Sequence, residues 1–269
     1  MPVDPLTIIG EILGEPAGLM RNPVNAGYQC PFINSVCVKR GHLTEEPYPV
    51  CSIYHGVKDP QLICACPKRF FGAELVEDVL ENCWPGERPR DYRIAYEVQM
   101  KGFGNVDFVI ADIDPLTNTV RNFVSVELQA VDTTGSVQLA YSAVLNNRQL
   151  DGRPGYGMNW GNVRKRYISQ LVAKGYFHHL WGTRIVAVLQ TALYTKIRDY
   201  VAFDEMTVNS NTNIIFMLYD FTQNSAGGGH GLELARVVGT SHSSLMTGTL
   251  YRLPPPRGSF CDRIIANLQ

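Results

Sequence analysis

Asp107 interrupts an otherwise apolar run, Val106, Phe108, Val109 and Ile110, where an isolated carboxylate is costly to desolvate without a cation or hydrogen-bond donors. Period-two alternation over residues 123–131 places Phe123, Ser125, Glu127 and Gln129 on one face of a strand and Val124, Val126, Leu128 and Ala130 on the other. Two carboxylates from adjacent strands can share a divalent metal. Hard oxygen ligands that leave room for several waters suit Mg2+, which polarises a phosphate and supplies a hydroxide for in-line attack.

A second chemistry lies in the first quarter of the chain. Cys30, Cys37, Cys51 and Cys66, with Cys64 beside the last, are punctuated by Gly27, Pro31, Gly41, Pro49, Gly56 and Pro67. Thiolates that converge tetrahedrally on a structural metal come from such knuckles and turns, and both iron and zinc accept four of them. The spacing is looser than a pair of CxxC knuckles, and scattered buried thiols are the alternative. Cys83 and Cys261 match no ligand position and read as core thiols. His178, His179 and His230 lack partners at ligand spacing and read as structural or surface residues. Arg164, Lys165 and Arg166 read either as an exposed helix turn or as a phosphate contact.

The elements that must position these groups follow from periodicity. Asp4-Pro5 caps a helix expected over 4–13, with Ile8, Ile9, Ile12 and Leu13 as its apolar stripe. Irregular structure is expected as far as Phe71, and a helix over 73–83 carries Leu75, Val76, Val79 and Leu80. From Tyr92 the period becomes two. Segments 92–101, 106–112 and 123–131, joined by turns at 102–105 and 114–118, predict an antiparallel meander, because such short connections cannot make a parallel crossover. A helix capped by Asn159 or Asn162 is expected to end at Lys174-Gly175, with Val163, Tyr167, Leu171 and Val172 inward. Segments 184–191 and 213–221 are apolar enough for buried strands of a mixed sheet. Residues 227–231 read as a mobile loop able to close on DNA, and 253–257 as an extended tail, with a polyproline ligand the alternative.

The arrangement of Asp107 and Glu127-Leu128-Gln129 resembles the PD-(D/E)xK nucleases, with Gln129 in the place of the usual lysine. Together with the four-cysteine segment before it and the run from Asn159 to Arg166 after it, the pattern is similar to the NotI-like type II restriction endonucleases, from Cys30 to about Gln190. The resemblance implies an α/β fold: a restriction-endonuclease-like mixed central sheet flanked by helices, plus a small amino-terminal four-cysteine metal-binding module. Residues 1–72 would form the module and 73–269 the endonuclease domain. It further implies Asp107 and Glu127 as Mg2+ ligands, and Gln129 as the group that orients the attacking water or binds the scissile phosphate. An additional upstream acid is implied, for which Glu97 is the candidate. Glu97 reads equally as a solvated strand-face charge. Cys30, Cys37, Cys51 and Cys66 would bind structural iron or zinc, with Cys64 the competitor for the fourth place.

The 269 residues carry a net charge of −1, which neither requires nor excludes nucleic acid. Met-Pro-Val-Asp-Pro opens the chain without a basic or apolar leader, and seven cysteines is an odd number, so a reduced cytoplasmic setting without membrane spans is expected. The function implied is Mg2+-dependent cleavage of double-stranded DNA at a palindromic site by a homodimer, one active site serving each strand. The competing readings are a repair nuclease on the same core and a metal-stapled DNA-binding protein.

Overall fold

In a computed structural model, described for residues 2–20, 22–40, 46–223, 228–251 and 254–268, the chain begins with extended backbone where a helix was expected. Asp4 caps a single 3-10 turn, Pro5–Thr7, its side chain accepting from Leu6 N at 2.9 Å. Strand β1 (Ile9–Ile12) follows, buried at all four residues. Its β-branched isoleucines favour extended backbone, and a short apolar run buried on both sides has no need of a one-sided stripe. The expected irregular stretch is also corrected. β1 pairs with β2 (Glu15–Pro16), β3 (Gln29–Cys30) and β4 (Ser35–Val36) form a separate ribbon, and β5 (Val50–His55) with β6 (Gln61–Cys64) completes a four-stranded sheet in the order β2-β1-β5-β6.

A 3-10 turn, Pro67–Gly72, leads to α1 (Leu75–Asn82). The meander then forms as periodicity predicts: β7 (Arg93–Met100), β8 (Gly104–Ile113) and β9 (Val120–Gln129), each antiparallel to the next. After α2 (Gln138–Leu145), helix α3 (Trp160–Leu180) runs past its expected stop. Gly175 lies inside α3 because a Cβ there would stand 2.6 Å from Ile214 Cδ1, so the glycine serves close packing rather than termination. Asn159 occupies the N-cap position without a side-chain capping bond.

Strand β10 (Arg184–Gln190), α4 (Thr191–Arg198), β11 (Ile214–Gln223), β12 (His230–Thr240), α5 (His242–Leu250) and α6 (Arg257–Ala266) complete the fold. The main sheet has the order β12-β11-β10-β9-β8-β7, with β9, β10 and β11 parallel and the outer strands antiparallel. His230 and Gly231 open β12 instead of belonging to a loop; Gly227, like Gly41 and Leu253, lies outside the described residues. Among the described residues no helix is long and apolar enough to cross a membrane.

Burial follows the faces of this sheet. Val124, Val126 and Leu128 of β9 and Val186 and Val188 of β10 pack with Leu75 and Val79 of α1. On the opposite face Ile185, Ala187, Leu189 and Phe216 pack with Val163, Tyr167, Ile168 and Leu171 of α3. Ile9, Ile12, Val50, Ile53 and Ile63 of the smaller sheet join that second cluster. Position 72 therefore marks a change of sheet within a continuous core.

Candidate active site

Strand register brings the acids together. Tyr96 pairs with Phe108 and Val98 with Val106, which sets Glu97 opposite Asp107. Phe108 pairs with Val126, which sets Asp107 in line with Glu127, itself paired with Ala187 of β10. Glu97, Asp107 and Glu127 thus form one lateral row across β7, β8 and β9.

The backbone departs from regular pairing along this row. Glu97 takes φ 52, the left-handed region that is uncommon outside glycine and clusters at functional sites. Leu128 N donates to Asp107 Oδ2 at 2.8 Å, so a side chain fills the place of a ladder bond. Gln129 shares the Glu127 face, half-buried, and its Nε2 donates to Ala130 O at 2.6 Å.

Two lysines enter this row from different elements. Lys174 of α3, 2% exposed, donates to Glu127 Oε1 and, at 2.6 Å, to Asn105 O. Lys68, on the 3-10 turn after Cys66, places its Nζ 3.5 Å from Glu97 Oε1 and 4.0 Å from Asp107 Oδ1. Both escaped the sequence reading. Lys174-Gly175 reads as a helix end and Lys68 carries no reading, since neither has a local signal that points to acids far away in sequence.

Burial governs the ionisation of Asp107 and Glu127. Desolvation raises the Asp107 carboxyl, opposed by the Leu128 N–H and by Lys68. Desolvation likewise pushes Glu127 up to about 7; Lys174 pulls it down while Asp107 and Glu97 repel its charge. Tyr167 donates its hydroxyl to Glu127 O at 3.2 Å, tying α3 to the strand. His178, expected to be structural or exposed, is structural. Its Nδ1 lies 2.7 Å from Lys174 O and its Nε2 2.8 Å from Ser125 Oγ, so Nδ1 carries the proton and the hydroxyl donates to Nε2.

Asp107 and Glu127 offer oxygen ligands on one face and leave positions for solvent and phosphate, the donor chemistry that Mg2+ prefers. Among the described residues, no three His, Cys, Asp or Glu side chains are gathered so that they could hold a metal ion. The cysteines among those residues are no exception. Cys30, Cys37, Cys51 and Cys64 are buried, and Cys66 is half-buried. Burial raises the Cys37 thiol, with Cys66 and Cys30 adding to the shift; burial raises Cys51, with Cys66 adding. Cys64 instead donates to Cys66 O at 3.2 Å and packs with Phe70 beneath the main sheet. Cys83 is the core thiol expected, beside Met217 Sδ at 3.5 Å, but Cys261 is only half-buried because it lies on α6, which contributes no buried residue.

The basic run opens α3. Lys165 and Arg166 are exposed, while the Arg164 guanidinium lies over the Tyr200 ring at 3.5 Å. Arg164 and Lys165 share a surface with Tyr200, Val201 and Thr249, while Tyr167, just after the run, turns inward to bond the Glu127 backbone.

A family model described as Restriction endonuclease NotI matches residues 23–232, well over half of the chain. No curated protein matches it.

Proposed function

Because the chain belongs to the NotI restriction endonuclease family, and so is a type II site-specific deoxyribonuclease, we propose that Asp107 and Glu127 hold a catalytic Mg2+ for cleavage of a palindromic duplex. The observation that carries this reading is the lateral row of Glu97, Asp107 and Glu127 on three neighbouring strands. Bound there, Mg2+ would polarise the scissile phosphate and lower the pKa of a water.

The chain's own residues supply the remaining parts. Asp107 is oriented by the Leu128 N–H, and Glu127 is held by Lys174 until ligand binding offers a stronger cation. Glu97 completes the row as a base-side acceptor. Gln129, its amide nitrogen engaged by Ala130 O, presents its carbonyl oxygen to orient the attacking water. The water oxygen adds to phosphorus and one P–O ester bond breaks. The water's proton passes to a neighbouring acceptor and the departing oxygen gains one, leaving a phosphate monoester and a hydroxyl. Arg164, Lys165 and Arg166 bind the backbone of the same duplex, a role that fixes position rather than sequence. Two copies related by a two-fold axis place one such site on each strand of the cytoplasmic DNA target.

For the cysteines, four thiolates suit structural iron or zinc. Cys37 feels Cys30 and Cys66, and Cys51 and Cys64 both feel Cys66. The Cys64 thiol already donates to Cys66 O and packs with Phe70, which favours the other four as ligands. The thiols as they stand are not drawn into a closed tetrahedral set, so metal uptake entails their convergence.

The test is cleavage by purified Asp107→Ala and Glu127→Ala. Both should lose cleavage in Mg2+ by at least ~1,000-fold while still binding DNA in Ca2+, since each removes a ligand and not a DNA contact. Wild-type rates in both variants would refute the assignment.

A further inference from the structure

We propose that Lys68 is a catalytic residue of the cleavage reaction, its ammonium donating to a non-bridging oxygen of the scissile phosphate; the proposal rests on the nuclease reading of the acid row. The row gathers three carboxylates, and a phosphodiester arriving there brings more negative charge. A divalent ion held by two acids offsets part of this, and a protein cation aimed at the phosphate is the remaining requirement for stabilising charge as it develops.

Two lysines reach the row, and their settings differ. Lys174 is 2% exposed and spends its donors on Glu127 and Asn105 O inside the α3 face. The Lys68 side chain is 22% exposed and stands beside both Glu97 and Asp107, at salt-bridge rather than short hydrogen-bond distances. It is loosely held by its acids and partly open to solvent, so a phosphate can reach it. Its Nζ lies over Phe71, 5.8 Å from the ring centroid, which ties the ammonium to this neighbourhood. Gln129 cannot fill the same role, because it carries no charge and its amide nitrogen already donates to Ala130 O.

The position of Lys68 is built by its sequence neighbours. Arg69 makes a buried two-point bond to Glu11, with Nε 3.0 Å from Oε2 and Nη2 2.9 Å from Oε1, and donates to His230 O at 2.7 Å. Phe70 is fully buried against Tyr219. Arg69 N bonds Cys66 O at 3.0 Å, closing the turn. The turn is therefore clamped between β1 of the smaller sheet and β11 and β12 of the main sheet, and the side chain of Lys68 is left pointing into the acid row. The cysteine segment thereby delivers a working group to the active site as well as a structural one.

The test uses full-length chain, Mg2+ and a duplex taken from a DNA that the wild type cuts into discrete fragments. Single-turnover cleavage at saturating enzyme is compared for wild type, Lys68→Ala, Lys68→Met and Lys68→Arg, with affinity measured in Ca2+ and folding checked by thermal melting. Lys68→Ala and Lys68→Met should each cleave ~100-fold more slowly with affinity changed less than ~3-fold, and Lys68→Arg should recover ~10-fold of the loss by restoring charge. Methionine keeps an unbranched stem of similar length without the charge, so wild-type cleavage by Lys68→Met would show that packing alone matters and would overturn the proposal. Lys68→Ala as fast as wild type would do the same while leaving the nuclease reading intact. A wild-type chain that leaves every DNA whole in Mg2+ would overturn that reading, and this role with it.

Discussion

His178 shows how burial, more than any partner, decides the charge of a side chain in this core. Desolvation pushes its imidazole down to about 4 from the ordinary 6.5, with the Lys174 charge contributing further and the bond to Lys174 O opposing. Phe123 and Trp181 face the ring at 6.1 and 5.4 Å, and neither offers a counter-charge. The folded state therefore keeps the neutral form, and the unfolded chain binds a proton that the folded chain refuses between pH 6.5 and 4. This contribution to stability is complete above the unfolded value, is lost as pH falls through that window, and amounts to about 3 kcal/mol at its limit. Replacing the ring by an amide removes the titration. The stability difference between wild type and His178→Asn in urea unfolding should thus shrink by ~2 kcal/mol on going from pH 7 to pH 4.5. An equal difference at both values would mean that the ring takes up its proton at the ordinary pH.

At the scale of elements, the β5–β6 hairpin has two duties. It carries Cys51 and Cys64, and it sends Ile53 and Ile63 into the cluster shared with α3 and β10. Small zinc modules unfold without their metal because they have no other core. Here the apolar face of the hairpin is buried against the larger body, so metal loss should loosen the thiol-bearing turns without dissolving the hairpin. Chain purified without added metal should contain about one iron or zinc per molecule, as four-thiolate sites do. Cys37→Ser and Cys66→Ser should abolish it and lower the thermal midpoint, yet leave one cooperative transition. Elemental analysis of wild type near zero would remove the metal from the account. Legibility in the sequence also divides by element. The meander was readable because period two and two tight turns act locally, and β10 and β11 were readable as wholly apolar runs. β1 was misread because Ile8, Ile9, Ile12 and Leu13 satisfy helical spacing as well as a buried strand. The row of acids could be anticipated in part, since register follows from the turns. Lys68 could not, because only the clamp of Arg69 by Glu11 turns it toward Asp107.

Among the described residues, two larger sheets and a two-stranded ribbon enclose two core clusters, with most of the helices covering the main sheet. Helix α6 is different. It has no buried residue, and Phe260, Ile264 and Ile265 stand 60%, 47% and 68% exposed on it. Neither core cluster draws on it. Surface segments remote from the core change stability by a few tenths of a kcal/mol, and a chain of this size moves its melting midpoint by only ~2–4 °C per kcal/mol. Removing residues 254–269 should therefore shift the midpoint of dilute protein by less than ~2 °C and leave the single-turnover cleavage rate per bound site unchanged. Sedimentation and thermal melting over a hundredfold range of concentration are the measurements to make. A fall of ~5 °C or more in dilute protein would show that α6 holds the fold together after all. A loss of stability that emerges only as concentration rises, with loss of a two-copy species, would place the α6 apolar face in a contact between copies of the chain.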